Sequence, residues 1–295
     1  MDIIFESKTN ITAKSGGAML NLAVSLGRCG LDISLISELG DDKVSDKIIL
    51  FLKENNVKTT FVKSYANQAT SIALAFLDEN KKPDYSFHKA YPEKRILKLP
   101  IEITKDDTLI FGSIYSLDEK IRDQLKGFIE YAKKNGALLI YDPNIRHGHH
   151  LRDEKTLKAV IENIALADIV KGSDEDFENI FGKFDETYVL DKIKGINDDA
   201  VVVFTKGKDG ASLFSDLGSF SAIAKQIKLI STVGAGDNFT AGMVYFMSKL
   251  TSKNRKPKHF SKSELREMLQ MGINFSSEVC QSTDNYISPD FANSL

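Results

Sequence analysis

Residues 226–237 read Gln-Ile-Lys-Leu-Ile-Ser-Thr-Val-Gly-Ala-Gly-Asp, and Asn238-Phe-Thr-Ala-Gly-Met-Val-Tyr-Phe follows with apolar residues at helical spacing. A strand-like stretch, Gln226–Ile230, therefore gives way to a helix through a glycine-rich turn. Gly234, Ala235 and Gly236 present backbone N–H groups at the positive end of that helix, which is a ready anion site. Asp237 falls in the first turn, beside any anion bound there. A carboxylate has a use in such a place if it takes the proton from a hydroxyl that attacks a phosphoryl group. The same residues also read as a tight turn closed by a helix cap. Two other phosphate motifs are excluded. The chain has no Gly-x-x-x-x-Gly-Lys-Ser/Thr, and position 239 is Phe where a dinucleotide fingerprint needs its third glycine.

Working outward, the chain has 295 residues, 42% hydrophobic and 27% charged, which is ordinary globular composition and ample for a large core. A formal net charge of −2 gives no general attraction to nucleic acid or to an anionic membrane. The basic run Lys253–His259 is broken by Pro257 and reads as a solvated loop. Two cysteines, Cys29 and Cys280, make no disulfide framework, so a reducing, cytoplasmic setting is expected. No basic leader and no apolar run of about 20 residues is present, so neither secretion nor a membrane span is expected.

Continuous apolar runs at 33–37, 108–113, 137–141, 168–171 and 200–205 read as strands covered on both faces. Helical patterns lie between or beside them at about 17–29, 42–55, 118–135, 152–166 and 187–195. This alternation predicts a mostly parallel sheet, with the site built on loops after the strands' carboxyl ends. One segment breaks the rhythm. Residues 70–78 and 85–88 read as two strands around a turn, and with pieces near 2–13 and 58–64 they predict a small β element. It is either a lid over a substrate or an antiparallel edge of the main sheet.

Further motifs fall at strand ends in an informative order: Ser15-Gly16-Gly17-Ala-Met-Leu-Asn21, Asp142-Pro-Asn144-Ile-Arg146, Lys171-Gly-Ser173-Asp-Glu-Asp176 and Thr205-Lys206-Gly207. With Gly-Ala-Gly-Asp at 234–237, the set resembles the ribokinase-like sugar kinases, the phosphofructokinase-B family. Within that family, Asp2 to Tyr91 is most similar to bacterial fructokinases. The resemblance implies one kinase domain over 1–295, a three-layer α/β/α sandwich with a mostly parallel central sheet. A β-sheet lid is expected from about 2–13 and 58–92. It also implies a strand of about ten residues before Asp2, which the chain lacks.

The expected activity is ATP-dependent phosphorylation of a sugar's primary hydroxyl, fructose first, with Mg²⁺ as cofactor. Asp237 matches the catalytic base, and the amides of 234–236 match the anion hole, where preorganised donors contribute about 3–4 kcal/mol each. Asp2, Gly16, Gly17 and Asn21 match the sugar grip, and Arg146 the region near the transferred phosphate. Asp142 and Asp176 match metal-side positions; the Asp142 stretch also reads as a structural ion pair. Lys171, Ser173, Thr205, Lys206, Gly207 and Asn274 match the nucleotide side. Ser173 and Asp176 replace the usual Asn and Glu, and equally read as a helix capping box. Asn274 equally reads as an exposed helix-face residue. Ser231 replaces an Asp tied to a monovalent-cation site, which puts K⁺ activation in question. A homodimer through the lid is expected. His147, His149 and His150 read as an exposed loop more readily than as a metal site. Rival readings are another sugar or nucleoside kinase of the family and a non-catalytic sugar sensor.

Overall fold

The first strand, β1 (Asp2–Phe5), pairs antiparallel with β2 (Ile11–Lys14) and takes further partners from residues some seventy positions on. The computed structural model describes residues 1–5, 11–77, 83–145, 153–250 and 256–295. They form two compact units: Met1–Pro100 with Ile227–Ala241 and Phe275–Leu295, and Ile101–Gln226 with Gly242–Asn274. The sequence reading assigned one domain to the same residues.

In the first unit, α1 (Ala18–Arg28) follows the two glycines, with Gly17 as its N-cap. Next come β3 (Ile33–Ser34), β4 (Ser37–Leu39), α2 (Lys43–Glu54), β5 (Val57–Lys58) and β6 (Val62–Ser64). The single strand expected at 33–37 is thus split, and β3 pairs parallel with β5 while β4 pairs parallel with β6. Residues 58–64, grouped with the lid from sequence, belong to these pairs instead. The α2 helix starts on a capping box in which Asp42 accepts from Val44 and Ser45 N–H and also from Thr70 N–H and hydroxyl. Leu20, Val24, Leu35, Ile48, Leu52 and Val57 make the unit's core, one stripe from each amphipathic helix.

Strands β7 (Ile72–Leu77) and β8 (Pro83–His88) complete a separate four-stranded sheet of order β2-β1-β7-β8. Its two faces differ as period-two alternation requires. Ile4, Ala73 and Ala75 are buried on the face that carries Asp2. The opposite face carries Phe5 stacked on Phe76 at 4.6 Å, with Phe76 and Ile11 left 45% and 53% exposed. Behind the next segment, Arg95 and Glu38 form an ion pair with side chains 1% and 0% exposed, joined by the Tyr65 hydroxyl.

The second unit carries the alternation that the sequence predicts: β9 (Thr108–Gly112), α3 (Arg122–Lys134), β10 (Leu138–Asp142), α4 (Glu154–Leu166), β11 (Ile169–Ser173), α5 (Asp174–Phe181), α6 (Glu186–Ile196) and β12 (Val201–Thr205). These four strands are mutually parallel, and Leu139, Ile140, Val170, Val202 and Phe204 are all fully buried. Apolar runs without alternation mark strands covered on both sides. An antiparallel hairpin, β13 (Ala211–Ser215) and β14 (Gly218–Ala222), extends the sheet to the order β14-β13-β12-β11-β10-β9. The fold is therefore α/β with a mixed sheet and a small separate sheet.

Two helices, α7 (Ala235–Lys249) and α8 (Lys262–Val279), each begin in one unit and end in the other, and α9 (Pro289–Asn293) closes the chain. Gln226–Ile230 forms no strand; Ile230 N–H donates to the Cys280 carbonyl at 2.8 Å, and Leu229 is 60% exposed. Lys256, expected in a solvated loop, instead donates to Asp168 and to the Ala137 carbonyl, which anchors the connection before α8.

Candidate active site

The head of α7 lies where the sequence places it, with Gly234 at φ +80° and Asp237 in the first turn. A side chain at 234 would put its Cβ 2.4 Å from the Asn285 carbonyl oxygen, so both the backbone angle and the space require glycine. Ala235 N–H donates to the Thr232 carbonyl at 3.2 Å and closes the turn. The Ala235 amide, expected in the anion hole, therefore has a partner within the chain. The turn leads directly into α7, at the positive end of that helix's dipole.

Asp237 is only 6% exposed, and its carboxylate accepts a 2.9 Å hydrogen bond from Asn21 Nδ2. Asn21 sits one turn into α1, so the Gly16-Gly17 junction aims it. At that junction, a Cβ on Gly16 would lie 1.9 Å from Asp2 Oδ2, which means the backbone passes directly against the Asp2 carboxylate. Burial pushes the Asp2 carboxyl up, and the neighbouring N-terminal ammonium pulls it partly back. The first unit thus gathers Asp2, Gly16, Gly17, Asn21 and Asp237. They come from β1, the turn before α1, α1 itself and α7, which are far apart in sequence.

Asn238, next to Asp237, was not singled out from sequence. It is fully buried, and its amide group donates to the carbonyls of Gly234 and Asn285, both at 2.8 Å. Its side-chain oxygen accepts from the Ser25 hydroxyl. The only trace of this in the sequence is a serine inside the apolar run Leu22–Leu26.

In the second unit, Asp142 ends β10 and Lys171 lies on the neighbouring strand β11. Their charged groups are 3.0 Å apart, with side chains 2% and 3% exposed. Asn144 is in the left-handed region at φ +45°, a conformation Asn tolerates. Arg146 and the three histidines lie outside the described residues. Ser173 and Asp176 make the capping box of α5: Asp176 N–H donates to Ser173 Oγ at 3.1 Å, and Ser173 N–H donates to Asp176 Oδ2 at 2.7 Å. The other Asp176 oxygen accepts from Ile145 N–H at 2.5 Å. Asp176 thus caps α5 with one oxygen and holds the Ile145 amide with the other. Among the described residues, no group of three His, Cys, Asp or Glu is placed to hold a metal ion. Of the two carboxylates expected on the Mg²⁺ side, Asp142 is paired with Lys171 and Asp176 caps α5.

Thr205 ends β12, and Gly207, at φ +52°, opens a short 3₁₀ turn. The Lys206 ammonium, expected on the nucleotide, is bonded to Glu186 at 2.6 Å and Ser212 at 2.7 Å. Asn274 accepts from Gln270 at 3.2 Å along an exposed face of α8. Ser231 Oγ accepts from Val233 N–H at 3.2 Å, a local turn contact without charge.

The profile of the pfkB family of carbohydrate kinases matches residues 6–290. The chain belongs to that family. It is thus a sugar phosphotransferase with the ribokinase-like fold. Fructokinase from Vibrio alginolyticus is 27% identical over 252 residues, covering 84% of this chain and 81% of that protein. Probable fructokinase-7 of Arabidopsis thaliana is 28% identical over 237 residues, covering 78% of this chain and 68% of its own. A crystal structure of Vibrio cholerae fructokinase with fructose, ADP and calcium bound superposes with a TM-score of 0.87 at 20% identity, covering 99% of this chain and 94% of that one. Among the described residues no helix is long and apolar enough to cross a membrane.

Proposed function

We propose that this chain transfers the γ-phosphoryl group of ATP to the primary hydroxyl of D-fructose, giving fructose 6-phosphate and ADP. The observation that carries the reading is the Asn21–Asp237 hydrogen bond. It joins the expected base to a helix whose preceding Gly16-Gly17 turn abuts Asp2, the expected sugar ligand. In this reading Asp2 and Asn21 accept from and donate to sugar hydroxyls. Asp237 takes the proton of the attacking hydroxyl as the oxygen–phosphorus bond forms and the bond to the ADP oxygen breaks. The α7 head stabilises charge on the phosphoryl oxygens. The fructokinases among the relatives favour fructose over other sugars.

On the nucleotide side, we assign the backbone of Thr205–Gly207 rather than the Lys206 ammonium, which Glu186 and Ser212 hold. Asp142 and Asp176 are the carboxylates that would hold Mg²⁺, which when bound with ATP would supply neutralisation of phosphate charge. Ser231 supplies no charge for a monovalent cation, so K⁺ is not assigned a role. The exposed apolar face carrying Phe5, Phe76 and Ile11 is proposed as a dimer contact with a second copy, because monomers rarely leave such sheet faces open. A cytoplasmic location accords with the use of ATP.

The test is ADP release by the purified chain with Mg·ATP over fructose, ribose, 2-keto-3-deoxygluconate and nucleosides. Fructose is expected to give the highest kcat/KM. Higher turnover with another acceptor would overturn the substrate assignment. Sugar binding by calorimetry with no ADP formation would make the chain a sensor.

A further inference from the structure

Two cross-links, not one, tie α1 to the head of α7. Asn21 and Ser25 lie one turn apart on the same face of α1, and they meet the adjacent residues Asp237 and Asn238. Asn238 is completely satisfied: both amide hydrogens are donated, to Gly234 and Asn285 carbonyls, and its oxygen accepts from Ser25. Ser25 is satisfied as well, since its hydroxyl oxygen accepts from Ile287 N–H at 3.1 Å. Both side chains are 0% exposed. The Gly234 carbonyl receives the Asn238 side chain at 2.8 Å and the Asn238 backbone N–H at 2.9 Å, which fixes the plane of that peptide.

We propose that Ser25 and Asn238 are positioning residues for phosphoryl transfer, a clamp that sets the angle of the Asp237 carboxylate and the glycine turn against the sugar-holding helix. This rests on the assignment of Asp237 as the base. The Asn21–Asp237 hydrogen bond sets a distance between the two helices, and the Ser25–Asn238 bond one turn along α1 adds direction to it. An apolar pair could fill the same volume, and a wholly buried polar network adds direction that apolar packing does not. The clamp also holds the Asn285 carbonyl, the atom against which the side-chain-free Gly234 packs. One network therefore orients both the proton acceptor and the turn facing the phosphoryl group.

The experiment compares Ser25→Ala, Asn238→Ala, the double variant and Asp237→Asn in kcat, both KM values, sugar affinity by calorimetry and thermal midpoint. Misplacement of a reacting group by about 1 Å costs on the order of 100-fold. Asn238→Ala should therefore lose about 100-fold in kcat and Ser25→Ala about tenfold. Both should retain sugar affinity and KM within about threefold, a split that mere destabilisation does not produce. The double variant should be no slower than Asn238→Ala, because the two act as one unit. Full kcat in Ser25→Ala and Asn238→Ala, with Asp237→Asn inactive, overturns the clamp and leaves the base assignment standing. Full kcat in Asp237→Asn overturns both. If Asn238→Ala does not fold, Ser25→Ala decides alone: unchanged kcat, or loss confined to KM or stability, refutes the clamp.

Discussion

Gly234→Ala adds a single carbon at the most constrained point of the turn. That carbon would sit 2.4 Å from the Asn285 carbonyl oxygen, where ordinary contact begins at 3.4 Å, so the turn and residue 285 must separate by about 1 Å. Relaxation is resisted from both sides, because Asn238 bonds the carbonyls of residues 234 and 285 at once. The left-handed φ of +80° adds about 1–2 kcal/mol for any residue with a Cβ. The stability loss should therefore be about 1–3 kcal/mol, visible as a thermal midpoint lower by several degrees. Catalysis should suffer more. A 1 Å shift of donors aimed at a transferring group costs roughly 100-fold in kcat. Sugar binding should be nearly unchanged, since the three atoms nearest the added carbon all belong to Asn285. Steady-state ADP release, calorimetry with sugar and a melting curve on one preparation would measure all three. A kcat within about threefold of the parent would refute the reasoning, since the turn would then tolerate displacement without losing alignment.

Asp42→Ala should destabilise the first unit by about 2–4 kcal/mol, combining a lost N-cap with an unpaired, buried Thr70 amide. Burial alone would raise the Asp42 carboxyl, but hydrogen bonds from Ser45, Thr70 and Val44 outweigh it and hold the pKa below the ordinary 3.8. The contribution is therefore complete above that value and fades as pH falls through the lower folded pKa. Melting curves should show the gap between parent and variant closing only in that acid range; a gap constant to strong acid would contradict the charge-based cap. For the exposed sheet face, Phe76→Lys should convert a dimer in sedimentation to a monomer, and a parent that already sediments as a monomer would remove that interface.

The second unit was legible because its strands are uninterrupted apolar runs, such as Leu138–Tyr141, set between amphipathic helices. That pattern depends only on which faces are covered. The caps were legible for a similar reason: Ser173 and Asp176 are three residues apart and reach one another locally. Gly-Ala-Gly-Asp carried its helix-head geometry in its own backbone. What stayed hidden depends on distant partners. Nothing near Lys206 or Lys171 in the chain announces Glu186 or Asp142 as the group holding each ammonium. The split of the 33–37 run into β3 and β4 follows from two different parallel partners, which periodicity does not encode. Ser25 and Asn238 are 213 residues apart, and neither matched an expected motif position.

Asp237→Asn tests the central claim most directly, because the change removes a proton acceptor while keeping shape and the oxygen that accepts from Asn21. Single-turnover phosphorylation of fructose should slow by about 10²–10⁴-fold, the usual worth of a general base, with sugar affinity preserved. Parent-like turnover in that variant would show that the carboxylate at the head of α7 is not the group that takes the proton.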